Sequence, residues 1–294
     1  APGAATWKKG EGFWYEDRWN NQEDADWLMS NSILSLTGET KEKAAWNALF
    51  ISFNQEHGKG RKGYGKGEKI AIKINQNNSF SHEDCEQLNA SPHLTLALLR
   101  SLVNEGGIPQ EQITVFDASR FITDALFNKC HAEFPDVIYL DNEGGAGRTK
   151  STYTADAIPY SKDNGRLARG LVNCVIEADY LINMALLKGH GGQGVTLCAK
   201  NWYGVTDIDR NFRKNQHNNF NQDRGGKPRY MTFTDFIAHK DLGQKTMLFL
   251  IDGLYGSENV NGGNGKCPHL IIIGLVRFLP LKTRLPLMQS ELIF

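Results

Sequence analysis

The chain has 294 residues, enough for one large domain or two small ones. Hydrophobic residues make up 40% and charged residues 22%, with 33 basic and 33 acidic side chains in balance. That is a globular composition, and its zero net charge speaks against a polyanion-binding surface, hence against a nucleic-acid partner, as the main function. No apolar run reaches the roughly 18 residues a bilayer requires, so no membrane span is expected. The sequence opens without Met and without a charged-then-apolar leader. It reads as processed or as a fragment, with export of a full-length form left open. The 5 cysteines, Cys85, Cys130, Cys174, Cys198 and Cys267, are scattered and form no C-x-x-C. They are expected to be free thiols, neither a disulfide framework nor a zinc or cluster motif.

The aromatic start, Trp7, Phe13, Trp14, Tyr15 and Trp19, suggests an arm packed on a body. From Asn21 the pattern turns helical through Ala25, Leu28, Met29, Ile33 and Leu36, and Gly38 stops it. Trp46, Leu49, Phe50 and Phe53 line one face of a second helix. His57–Gly67 is a Gly/Lys-rich loop. Its Gly58-x-Gly60-x-x-Gly63 precedes a strand, the wrong context for a dinucleotide fingerprint. Beyond it, strands and helices alternate. Strands are predicted at Lys69–Ile74, Gln112–Phe116, Val137–Leu140, Asp179–Leu186 and Thr246–Ile251. Helices are predicted from Ser91-Pro92 to Gly106-Gly107, at Arg120–His131, at Gly165–Ile176 and at Phe233–His239. Such alternation means an α/β fold with a largely parallel sheet and flanking helices, a Rossmann-like layering preceded by the arm and its helices. The expected division is an N-terminal arm and helical segment over 1–66, an α/β domain over 67–263 and a tail over 264–294.

Ligands of parallel sheets sit at the carboxyl ends of the strands. Four polar clusters fall there: Asn75–Ser79, Asp117–Arg120, Lys188-Gly189-His190 and Asp252-Gly253. In the third, Lys188, His190 and the glycines Gly189, Gly191, Gly192 and Gly194 lead into Thr196, Lys200 and Asn201. Glycines there let backbone N–H groups approach an anion. A helix over Thr196–Asn201 would aim its free N–H groups at the glycine turn. Gly189-x-Gly191-x-x-Gly194 also spells the dinucleotide fingerprint, but no strand ending in an acidic residue follows at the required distance.

Lys188, Lys200 and Arg120 are the candidates to hold an anionic ligand. His190 is the candidate metal ligand or general acid–base, with Asp117 and Asp252 binding the metal or orienting the imidazole. Asn75, Asn77 and Asn201 would supply fixed hydrogen bonds, and Gly191, Gly192, Gly194 and Thr196 the anion-facing turn. The sequence leaves the cofactor open, with a divalent metal as the candidate. His82 and Cys85, three apart, lack further partners and read as structural, as do His93, His217 and His239.

The segment Lys188-x-His190, Gly194, Thr196, Lys200-Asn201 and Gly204 resembles a bacterial and archaeal family known as domain of unknown function three-six-two. Lys73-x-Asn75, Ser91-Pro92, Gly106-Gly107, Asp117 and Asp252-Gly253 extend the resemblance over roughly 69–256. The aromatic arm is similar to that of longer, Bacteroides-type members. The resemblance implies an α/β fold and, in some members, association with iron–sulfur domains. It implies no particular reaction. Without the cysteine motifs, no cluster is expected in this chain.

After Gly263 the character changes, and Ile271–Leu287 shows neither acidic residues nor turn logic. The family pattern expects Ser-x-Asp-Pro-Val-Ala-x-Asp near here. Reading the tail two bases into each codon from Phe278 permits Ser-Ala-Ser-Gln-Asp-Pro-Val-Ala-Ile-Asp. The expectation is therefore a change of frame between about Gly262 and Lys266, with Cys267–Phe294 out of frame and two site carboxylates missing.

Two function classes remain open on the sequence. One is an enzyme of redox or hydrolytic or isomerising type acting on a small anionic molecule. The other is a non-catalytic binding protein for such an anion or a metal-bearing cofactor, using the same residues. The aromatic arm and the polar Asn211–Arg229 stretch are the candidate protein contacts.

Overall fold

A computed structural model of the protein describes residues 7, 10–161, 170–190, 194–206 and 232–257. The expectations for the 264–294 tail, for Gly191 and Gly192, and for Asn211–Arg229 lie outside these residues.

Helix α1 spans Gln22–Thr37. Its N-cap Asn21 accepts hydrogen bonds from the N–H groups of Glu23 and Asp24, satisfying first-turn donors. Gly38, at φ 71°, closes it in the left-handed region open to glycine. α2 (Glu42–Glu56) buries Trp46, Leu49, Phe50 and Phe53, the face expected from their spacing. α3 (Pro92–Arg100) is capped by Ser91, whose hydroxyl accepts from Leu94 N. It runs into a π-helical turn, Ser101–Glu105, that ends at Gly106. α4 covers Asp124–His131 and α5 Asn173–Glu177. α6 is one turn, Cys198–Asn201, and α7 covers Thr232–Ala238.

The strands are β1 (Ile70–Lys73), β2 (Ile113–Asp117), β3 (Ile138–Asp141) and β4 (Thr149–Lys150). β5 (Tyr153–Thr154) and β6 (Leu171–Val172) pair with each other, antiparallel, apart from the main sheet. β7 (Tyr180–His190), β8 (Gly194–Thr196) and β9 (Thr246–Ser257) complete the set. β1, β2, β3, β4, β7 and β9 are joined by parallel pairings, and β8 alone runs antiparallel, against the end of β7. From β1 the chain builds outward through β2, β3 and β4. It then crosses to the other flank of β1 to lay down β7, with β9 beyond it. That reversal is the topological switch point where open α/β sheets bind ligands.

Both faces of the sheet are covered, so its central strands are largely apolar, with Lys73 and Asn183 the buried polar exceptions in the β1–β7 register. In β1, Ile70 and Ile72 join the core beneath α1–α4, while Ala71 faces the second core with Phe116, Trp202 and Phe236. The arm also packs. Trp14 is buried against Leu88 and Leu186, its ring 5.0 Å from that of Tyr255.

Several boundaries differ from expectation. α4 starts at Asp124, not Arg120, because Ile122 N is held by the Asp141 carboxylate at 3.1 Å, which keeps 120–123 out of the helix. Within the predicted helix Gly165–Ile176, residues Leu171–Val172 are a strand and the helix begins at Asn173. β7 does not stop at Leu186. Lys188, Gly189 and His190 are its last residues, paired with Thr196, Val195 and Gly194. Gly189, opposite Val195, and Gly194, opposite His190, therefore belong to two antiparallel strands. Thr196 belongs to β8, and the helix expected from Thr196 is the single turn of α6.

Candidate functional site

β1 ends at Lys73, whose register partner on β7 is Asn183. β7 continues to His190, so it projects past the end of β1, and α6 is brought against that projection. The polar side chains of the switch point meet there.

Lys73 is buried, and its ammonium group lies 3.2 Å from Asp117 Oδ2. It also donates to the Ile74 carbonyl and, at 3.3 Å, to Asn201 Oδ1. The second Asp117 oxygen accepts from Ser119 N and Ser119 Oγ, each at 3.1 Å. Burial still pulls the Lys73 amine below its ordinary pKa, against the opposing pull of Asp117. Desolvation of two ions is repaid only when partners are this complete.

Asn201 ties three elements together. Its Oδ1 accepts from Lys73 and, at 3.1 Å, from Asn75 Nδ2. Its Nδ2 faces Asn183 Oδ1 at 2.8 Å and the carbonyls of Met184 at 3.2 Å and Lys73 at 3.3 Å. Asn183 in turn donates to the Cys198 carbonyl at 3.0 Å. The Asn75 side-chain oxygen accepts from Lys188 Nζ at 3.2 Å and from Asn77 N at 3.1 Å.

Lys188 is buried, and burial, reinforced by Lys200 and Lys73 and opposed by Asp117, lowers its pKa to about 7. Burial also lowers that of Lys200 to about 8. The Lys200 ammonium stands 5.2 Å from the Tyr203 ring centroid. Gly204 lets the following turn close on this group. A Cβ there would lie 2.8 Å from Asp117 Oδ1, Lys73 Cε and Lys73 Nζ. These atoms are pinned by their hydrogen bonds and cannot yield cheaply. Gly204→Ala is expected to cost about 1–3 kcal/mol by overpacking, read by urea denaturation. Wild-type stability would mean that the turn, not the ion pair, gives way.

Three buried aspartates fasten the segment between β1 and α3. Asp117 Oδ2 accepts from Gln76 N at 2.8 Å, Asp141 Oδ2 meets His82 Nε2 at 2.8 Å, and Asp252 Oδ2 accepts from Ser91 N at 2.7 Å. Asp117 and Asp141 are register partners on neighbouring strands, so their two anchors stand side by side. Asp141 Oδ1 also accepts from Glu143 N at 3.1 Å and Gly144 N at 2.7 Å.

The structure thus brings together Lys188, Asp117, Asn75, Asn201 and Lys200, with Asn77 and Arg120 one step out. Arg120 Nε donates to the Asn77 carbonyl at 2.7 Å and Nη1 to the Ser119 carbonyl at 3.0 Å. Asp252 lies within β9, opposite Leu186, and burial raises its pKa to about 7. His190 is the last residue of β7, four positions beyond Leu186. Among the described residues no three or more His, Cys, Asp or Glu side chains cluster at one point. Gly194 and Thr196 sit on β8.

Sequence reasoning gave no role to Lys73, Gln76, Asn183 or Asp141. A lysine closing the apolar run Ile-Ala-Ile, with Asn two residues on, was the available signal for the first. His82 has Cys85 for a neighbour by spacing, but its partner is Asp141.

Fold and site define a class: a doubly covered parallel α/β protein with a lysine- and amide-lined switch point. Within that class the chain belongs to the family described as domain of unknown function (DUF362), whose model matches residues 70–275, as the Lys188–Gly204 resemblance implied. The match begins at the first residue of β1. No curated protein matches the chain. No described helix is long and apolar enough to cross a membrane.

Proposed function

We propose that the protein binds a small anionic molecule at the β1–β7 switch point, through Lys188 and Lys200, and that Lys188 exchanges a proton with it. The observation that carries this reading is the convergence of Lys73, Lys188 and Lys200 on a fixed skeleton of Asn75, Asn183 and Asn201 at the strand ends. Lys73 is committed to Asp117 and sets the field. Lys188 is held to Asn75 by an amide oxygen, and its proton affinity, lowered to about 7, matches that of a group trading protons near neutrality. The amides hold their dipoles in place before the ligand arrives, which is what makes such contacts effective.

Isothermal titration with inorganic phosphate and with acetate tests the reading. One of the two is expected to bind wild type. Lys200→Met and Lys188→Met are each expected to weaken that binding about tenfold or more, with circular dichroism unchanged. The lysines must be charged to hold an anion, so affinity is expected to fall as pH rises through the 7 and 8 of Lys188 and Lys200. Failure of both ions to bind, or binding indifferent to both substitutions, would overturn the proposal.

A further inference from the structure

Phe80 is 72% exposed at the same edge of the sheet. A single exposed apolar side chain needs no explanation by itself. What sets Phe80 apart is how firmly it is held. The Arg120 guanidinium carbon lies 4.9 Å from its ring centroid, and that guanidinium is fixed by its bonds to the Asn77 and Ser119 carbonyls. On one side of Phe80 the chain is fastened at Gln76 by Asp117, on the other at His82 by Asp141. Between them Ser79 N donates to the Gln76 carbonyl at 2.9 Å and Ser79 Oγ to the Ser81 carbonyl at 2.8 Å. An aromatic ring is therefore presented to solvent on a braced turn.

The turn is coupled to the lysines. Asn77, whose carbonyl holds Arg120, donates its N–H to the Asn75 oxygen that also takes Lys188 Nζ. A second feature of the same segment is Gln76. It is fully buried, yet neither atom of its side-chain amide has a hydrogen-bond partner. Buried amides are almost always satisfied. The segment that carries Phe80 therefore keeps a buried donor and acceptor that no described group answers.

We infer that the anionic ligand carries a planar aromatic or heteroaromatic ring, which stacks on Phe80 while its charged group is held by Lys188 and Lys200. The inference rests on the anion reading above and names the class of ligand. Rings stack on aromatic faces in offset or edge-on geometry, and a ring backed by a guanidinium gains from the cation on its far side.

The test compares matched probes on the full chain by isothermal titration: methyl phosphate against phenyl phosphate, and acetate against benzoate. In whichever pair binds, the aromatic member is expected to bind about tenfold more tightly, the size of one stacking contact. Phe80→Ala is expected to remove that advantage and leave the aliphatic member's affinity unchanged. Phe80→Trp is expected to keep it. Since Phe80 is exposed, neither substitution should move the melting temperature. Equal affinities within a pair, or an advantage that survives Phe80→Ala, would overturn the ring while leaving the anion site standing. Absence of binding by all four probes would overturn the anion site and the ring with it.

Discussion

Asp117→Ala is expected to lower the melting temperature by on the order of 10 °C, a loss of about 3–5 kcal/mol. The carboxylate answers four donors: Lys73 Nζ, Gln76 N, Ser119 N and Ser119 Oγ. Without it the Lys73 ammonium remains buried beside other cations, and burial already depresses its proton affinity. Lys73 would then shed its proton, so the loss should shrink when unfolding is repeated at pH 9. Asp117→Asn separates the contributions, because an amide oxygen still accepts from Gln76 N while the charge is gone. The double variant Lys73→Met with Asp117→Leu is expected to be less damaged than Asp117→Ala, since replacing both ions by apolar groups leaves no orphan charge. An Asp117→Ala protein within about 1 kcal/mol of wild type would show that the ion pair is not what holds the strand ends together.

The parts legible in the sequence were those with local causes. Asn21 and Gly38 bound α1, Ser91-Pro92 opens α3, and the apolar runs at 70–72 and 247–251 are strands because both faces of the sheet are buried. The rule that ligands gather at strand ends selected Asn75, Asp117 and Lys188, and the structure brings these three together. What was not legible depends on pairing between distant segments. β4, β5 and β6 are two residues each, too short for any period to appear. Lys188-Gly189-His190 carries no apolar alternation and reads as a loop. It is strand because β8 returns to pair with it. Asp252 is expected just past a strand ending at Ile251, but β9 runs on to Ser257 and the Asp252 oxygen is taken by Ser91 N, a donor that nothing near position 252 announces. His82 offered Cys85 as a neighbour by spacing, while its actual partner lies at the end of β3. Gln76 is the sharpest case. A glutamine in a polar turn looks solvated in sequence, and only the packing of 74–91 onto the strand ends buries it.

The stability of the folded chain should carry a dip near neutral pH, set by two buried groups of opposite sign. Asp252 has its pKa raised from 3.8 to about 7 by burial. Between about pH 4 and 7 the folded chain keeps a proton that the unfolded chain has lost, so this group's contribution falls as pH rises through that window. Lys188 has its pKa lowered from 10.5 to about 7, mainly by burial. Between about pH 7 and 10 the unfolded chain keeps a proton that the folded chain has lost, so this contribution rises with pH. Each of these two groups contributes a slope of at most about 1.4 kcal/mol per pH unit, and Lys200, lowered to about 8, adds to the alkaline limb with the same sign. Urea denaturation from pH 5 to 9 on wild type, Asp252→Asn and Lys188→Met isolates them: the first substitution should flatten the acid limb, and the second should remove Lys188's share of the alkaline limb, leaving the rise that Lys200 contributes above about pH 8. If each variant runs parallel to wild type across its window, these groups titrate alike in both states and the burial argument fails. A bound anion adds a further consequence. It favours the charged form of Lys188, so a saturating ligand should raise the lysine's proton affinity, move the start of the alkaline rise to higher pH and stabilise the protein most below about pH 7, where the lysines are charged. Asp252, whose acceptor oxygen is already occupied by Ser91, should keep its limb unchanged, and that difference separates ligand bound at the switch point from a general effect of added salt.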